Sequence, residues 1–100
     1  MGIIMTPVKR IEIMLSEPLV THLVDVFDQH QFQAYCISND HSGRSTQIIG
    51  LGNMNTAIVT LICTLSEASN LVPSLNAFVE KYGGLFTVVD ALGTNIRDEK

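Results

Sequence analysis

Apolar and polar residues alternate from Val8 to Leu15, with Ile11, Ile13 and Leu15 on one side and Arg10, Glu12 and Met14 on the other. That is the period of a half-buried strand. Ser16 follows as an N-cap, and Pro18 stands where a first helical turn tolerates a missing N–H. The period then lengthens: Leu19, Leu23, Val26 and Phe27 recur at helical spacing, which predicts an amphipathic helix to about His30, with His22, Asp25, Asp28 and Gln29 off the stripe. A second strand is read over Gln33 to Asn39 and a third over Ala57 to Leu65. In the third, Val59, Leu61, Cys63 and Leu65 share one face, and Ile58, Thr60, Ile62 and Thr64 the other. Ser66 is expected to cap a second helix running to about Tyr82 through Leu71, Leu75 and Phe78. Pro73 either kinks this helix or occupies the first turn of one that starts near Asn70. Gly83 and Gly84 end it, and Leu85 to Leu92 forms the fourth strand before a charged tail over 93–100.

The tripeptide Leu-Ser-Glu joins strand to helix twice, at Leu15 to Glu17 and at Leu65 to Glu67, so the chain reads as one strand-helix-strand unit used twice. Two such units with right-handed crossovers give an α+β fold, a ferredoxin-like βαββαβ sandwich in which a four-stranded antiparallel sheet carries both helices on one face. One domain spans 1–100, with its core over about 8–92. The other sheet face is then bare, and strand 3 together with Phe86, Val88 and Leu92 of strand 4 is expected to place apolar residues on it. Composition sharpens this point: 46% of the 100 residues are hydrophobic and 16% charged, more apolar surface than so short a chain can bury alone. Part of it should be covered by other subunits.

Charge and cysteine usage exclude several classes. A net charge of −4, with six Lys and Arg in all, argues against a nucleic-acid partner. Cys36 and Cys63 lack CxxC or Cys/His spacing and are read as reduced packing residues of a cytoplasmic protein. No signal peptide or membrane-spanning stretch is expected, so neither is direct membrane insertion. The start MGIIMT fits the loose pattern for N-myristoylation at Gly2, without a polybasic patch to support it.

Between strands 2 and 3, Asn39 to Thr56 keeps neither period. It holds Gly43, Gly50, Gly52 and a run of turn-forming residues. A loop this long in a small domain is a functional segment or a disordered one, because nothing packed offsets the entropy of ordering it. Gly50-Leu51-Gly52 is not a dinucleotide fingerprint, since Asn55 stands where the third glycine belongs and no helix follows. Ser42-Gly43-Arg44-Ser45-Thr46 is better suited to an anion: glycine exposes backbone N–H groups, Arg44 offers a planar fork, and the hydroxyls add donors. Catalysis has little support. His22 and His30 are about 80° apart on a helix, and Asp40 with His41 lacks a third metal ligand. No catalytic residue and no metal site is assigned.

The βαββαβ order, the long loop that begins at Gly43-Arg44, and the glycine turn Gly83-Gly84 before strand 4 together resemble the PII-like signalling proteins over residues 8 to 92. The resemblance implies a homotrimer packed through its sheets. It also implies an adenine nucleotide, whether AMP, ADP, ATP or cyclic AMP, held in the cleft between subunits by Ser42, Gly43, Arg44, Ser45, Gly83, Gly84 and Arg97. A regulated transporter or enzyme would be the partner, and the protein would not itself be an enzyme. The sequence departs from the nitrogen sensors in several places. His41 replaces the first glycine of their Gly-x-Gly-Arg, and Gly84 stands where their Gly-Lys-Ile-Phe turn has its lysine, with Lys81 the nearby candidate to substitute for it. Ser45 follows the arginine instead of glutamine, and the short loop has no tyrosine to uridylylate. These departures point to the short-loop branch, similar to the members tied to inorganic-carbon uptake. Two alternatives are a trimeric interaction module that binds no nucleotide and a metal-binding protein like the divalent-cation-tolerance trimers.

Overall fold

The computed structural model describes residues 2–41 and 55–94, the side chains of 39–41 excepted. The strands are β1 (Thr6–Ser16), β2 (Tyr35–His41), β3 (Thr56–Thr64) and β4 (Leu85–Gly93); the helices are α1 (Val20–Gln29) and α2 (Leu65–Tyr82), and a 3-10 turn over Glu17–Leu19 precedes α1. The sheet order is β2-β3-β1-β4 with every pairing antiparallel. This is the four-stranded α+β architecture that the duplicated strand-helix-strand pattern predicts.

The two Leu-Ser-Glu tripeptides play different parts. Leu15 and Ser16 are the last residues of β1, and Leu15 is fully buried. Leu65 is instead the first residue of α2 and half exposed. The helix cap is Thr64, not Ser66, because a reciprocal capping box needs Glu three residues on: Glu67 N–H donates to Thr64 Oγ1 (3.1 Å), and Thr64 N–H donates to Glu67 Oε1 (2.9 Å). Pro73 lies inside an unbroken helix on its exposed side. An interior proline costs about 3 kcal/mol, which the burial of Leu71, Leu75 and Phe78 on the opposite side offsets.

Helix α1 ends in a Schellman motif built without glycine. Phe32 N–H donates to Phe27 O (2.9 Å) and Gln31 N–H to Asp28 O (3.0 Å), while the Phe27 and Phe32 rings pack 6.0 Å apart. Gln31 carries the left-handed conformation at φ 57°. A side chain there is strained by roughly 1 kcal/mol, so Gln31→Gly should stabilise the fold by about that amount, read as a higher urea midpoint at unchanged slope.

The core lies between the helices and one sheet face, where Ile11, Ile13, Leu15, Val59 and Leu61 meet Leu23, Phe27, Leu71 and Leu75. Directly opposed residues of antiparallel strands share a face, so the register fixes what lies on each side. Phe86 is opposite Ile13, Val88 opposite Ile11 and Leu92 opposite Pro7, which puts all three on the helix side and not on the bare face expected from the sequence. Phe86 packs against the core, whereas Val88 and Leu92 stay exposed. The open face instead takes Leu85, Thr87, Val89 and Ala91 from β4, with Val8, Arg10, Glu12 and Met14 from β1 and Ile58, Thr60 and Ile62 from β3.

Candidate functional site

The two stems of the long loop leave the sheet beside the end of β1. Ser16 is opposite Thr56, His41 is opposite Thr56 from the other side, and Glu17 N–H donates to Asn55 O (2.9 Å). The glycine turn arrives at the same end. Gly83 (φ 89°) closes α2 by donating its N–H to Val79 O at 2.8 Å. Gly84 (φ 102°) then brings the chain so close to β1 that a Cβ on it would lie 2.6 Å from the Met14 carbonyl oxygen and 3.5 Å from Leu15 Cα. Leu85 enters the sheet opposite Met14. Loop base and glycine turn are therefore fixed against the last three residues of β1, a backbone-rich surface that no side chain at 83 or 84 covers.

Of the residues expected to hold a ligand, the fold places Gly83 and Gly84 here. Ser42, Gly43, Arg44, Ser45 and Arg97 lie outside the described residues, as do the side chains of Asp40 and His41. The tail departs from the far end of the sheet, since β4 finishes at Gly93 opposite Thr6. Lys81, the candidate to substitute for the missing lysine of the turn, has its Nζ 5.1 Å from the centroid of the Tyr82 ring. Among the described residues the remaining cations are Lys9, paired with Asp90, and Arg10, 3.5 Å from Glu12, both on β1.

Other chemistry-bearing side chains have structural partners. His22 stacks on Tyr82 with ring centroids 5.3 Å apart, and His30 Nε2 lies 2.9 Å from Ser74 Oγ. Of these, His22, Ser74 and Tyr82 line a groove of about 400 Å³ between α1 and α2, together with Asp25, Gln29 and Lys81. No sequence signal marks the groove, because its members come from two helices whose relative rotation periodicity does not specify. Cys63 is buried and donates to Lys9 O (3.8 Å), and burial, with the Glu67 charge adding to it, pushes its thiol up to about 11. It is no nucleophile at neutral pH. Cys36, read from the sequence as a reduced packing residue, is free and exposed on the edge strand. Among the described residues no three His, Cys, Asp or Glu gather to hold a metal, and no helix is long and apolar enough to cross a membrane.

No family model and no curated relative matches the chain at the level of sequence. Solved structures match it closely in shape. The apo form of CPII from Thiomonas intermedia K12, a nitrogen regulatory PII-like protein, superposes with a TM-score of 0.76 at 19% identity over 95% of this chain and 100% of its own. The same protein bound to ADP, AMP and bicarbonate gives a TM-score of 0.77 at 19% identity over 94% and 100%. A Thermus thermophilus protein assigned to the PII-like signalling proteins gives 0.69 at 15% identity over 90% and 91%. At these identities the likeness is one of fold: with its four-stranded antiparallel sheet and two helices, the chain has the PII-like fold.

Proposed function

We propose that the chain is a PII-like regulator, a homotrimer acting in the cytoplasm that binds an adenine nucleotide in the cleft between subunits and controls a transporter or enzyme through its long loop. One observation carries the reading: the fold fixes the base of that loop and the Gly83-Gly84 turn at one end of the sheet, on the backbone of Met14 to Ser16. CPII, which shares the fold, has been solved with ADP and AMP bound. In this assignment Gly43 and the Gly83-Gly84 turn let the phosphates approach the backbone, Ser42 and Ser45 donate hydroxyls, and Arg44 supplies the fork. Arg97, on a tail that leaves the opposite end of its own sheet, is assigned to the cleft of a neighbouring subunit. With no catalytic constellation in the scheme, the chain works by changing the conformation of the loop, not by turning over a substrate.

Calorimetry against AMP, ADP, ATP and cyclic AMP tests it. A charge-assisted hydrogen bond is worth about 1.5–3 kcal/mol, so Arg44→Ala should weaken binding by about tenfold to a hundredfold with assembly intact. No binding at millimolar nucleotide, or binding indifferent to Arg44→Ala, would favour the second reading, a trimeric module that grips its partner without a nucleotide. One observation favours that reading: Gly84 stands where the turn of the nitrogen sensors carries its lysine.

A further inference from the structure

On the side of the molecule away from the open sheet face, two contacts tie α1 to α2. His22 stacks on Tyr82, and His30, the C-cap of α1, lies 2.9 Å from Ser74 Oγ through its Nε2. His30 comes eight residues after His22 while Ser74 comes eight before Tyr82, so the helices run antiparallel. At the helical rise, the stretch between the two contacts is about 12 Å long. The groove of about 400 Å³ runs along it. Val26 and the buried Phe78 pack toward the core beneath, and Ala77 adds only a methyl to the wall.

The polar lining divides by position. On α1, His22, Asp25 and Gln29 recur at i, i+3 and i+7, and on α2 Ser74 and Lys81 stand at i and i+7, so each set shares one helix face. The antiparallel arrangement puts Asp25 and Lys81 nearer the Tyr82 end, and Gln29 and Ser74 at the His30 end. Asp25 and Lys81 carry opposite charges on opposite walls, yet they do not pair with each other: among the described residues the ion pairs are Lys9 with Asp90 and Arg10 with Glu12. The Lys81 ammonium is held at the Tyr82 ring, where it keeps its charge and its donors.

Two unanswered charges of opposite sign select a ligand that carries both. A phosphate would meet Asp25 as a like charge, and a simple amine would leave Lys81 without an acceptor. We infer that the groove between α1 and α2 binds a free amino acid, whose ammonium donates to Asp25 and whose carboxylate accepts from Lys81 Nζ. Its side chain runs toward Gln29 and Ser74. These offer uncharged amide and hydroxyl groups, and Ser74 Oγ has hydrogen-bonding capacity beyond its contact with His30, so a neutral polar side chain fits best. The site shares no residue with the proposed nucleotide cleft and does not depend on assembly. Occupancy is felt at the glycine turn, because Lys81 and Tyr82 end α2 and Gly83 N–H closes that helix on Val79 O.

Nitrogen-15 NMR titration with glutamine tests it. Two charge-assisted hydrogen bonds in a groove open to water should give a dissociation constant of roughly 1 mM, with amide shifts at Asp25, Gln29, Lys81 and Gly83. Asp25→Asn and Lys81→Met should each weaken binding by about tenfold or more, and Ala77→Leu, which fills the groove, should do the same. All three positions are exposed, and unchanged spectra elsewhere confirm that the variants are folded. N-acetylglutamine lacks the ammonium. It should bind the unmodified chain about tenfold more weakly than glutamine does, yet bind Asp25→Asn as well as glutamine does, because the two changes remove the same contact. No shift at these amides at tens of millimolar glutamine, or binding indifferent to Asp25→Asn and Lys81→Met, would overturn the site. Leucine binding as tightly as glutamine would overturn the assignment of the side chain to Gln29 and Ser74.

Discussion

Gly84→Ala is expected to cost the fold about 3 kcal/mol or more. Two independent penalties add at this position. The backbone sits at φ 102°, a conformation that strains any L side chain by about 1–3 kcal/mol. The added methyl would also meet the Met14 carbonyl oxygen at 2.6 Å, and that oxygen cannot retreat. It belongs to β1, which is paired on both sides, with Met14 opposite Ile58 on β3 and Leu85 on β4. A flexible side-chain tip could move aside; a doubly paired backbone moves only by breaking ladder hydrogen bonds. Urea titration should show a lower midpoint at an unchanged slope. A loss below about 1 kcal/mol would mean that the close approach is relieved by a small shift of the turn.

The same position shows what the sequence makes legible. Gly83-Gly84 is readable as a helix stop, because glycine tolerates the dihedrals that end a helix. It does not reveal that Gly84 is pressed against the central strand, since Met14 and Gly84 are far apart along the chain and only the sheet order brings them together. Periodicity likewise identifies every strand and helix while misplacing the faces of β4. Its alternate sets, Leu85, Thr87, Val89 and Ala91 against Phe86, Val88, Asp90 and Leu92, are almost equally apolar. The register that chooses between them is set by the turn, and a slip of one residue exchanges the faces. The start of α2 is ambiguous in the sequence because Thr64 also satisfies the strand pattern, and Glu67 at the third helical position decides the cap.

The candidate site divides in the same way. Its two parts, a Gly-Arg loop base and a glycine turn, can be found in the sequence as separate motifs. The meeting of the loop stems with the turn at one end of the sheet follows from the antiparallel order alone, which sets Ser16 opposite Thr56 and Leu85 opposite Met14. The contact of the Lys81 ammonium with the Tyr82 ring is not legible in the sequence, because it depends on how the last turn of α2 is set.

Ile62→Lys should abolish the proposed assembly while sparing the subunit. Ile62 is 50% exposed on the open face, opposite Arg10, whose other neighbour across the sheet is the 48% exposed Val89. In an isolated subunit the new ammonium can reach water, and a surface change of this kind shifts stability by no more than about 0.5 kcal/mol. Covered by another subunit, it cannot. Glu12 is already engaged by Arg10 at 3.5 Å, so the added cation would meet Arg10 as a like charge with no free carboxylate beside it on β1. Burying an unpaired charge costs several kcal/mol, and a closed ring repeats that cost at every interface. Each 1.4 kcal/mol is a factor of about ten, so dissociation by more than roughly a hundredfold is expected, with the thermal melt of the dissociated chain still cooperative. Sedimentation velocity at micromolar concentration separates the outcomes. If Ile62→Lys sediments as the unmodified assembly does, the open face is not what joins the subunits, and the contact must be sought at the exposed residues Val88 and Leu92 on the helix side of β4.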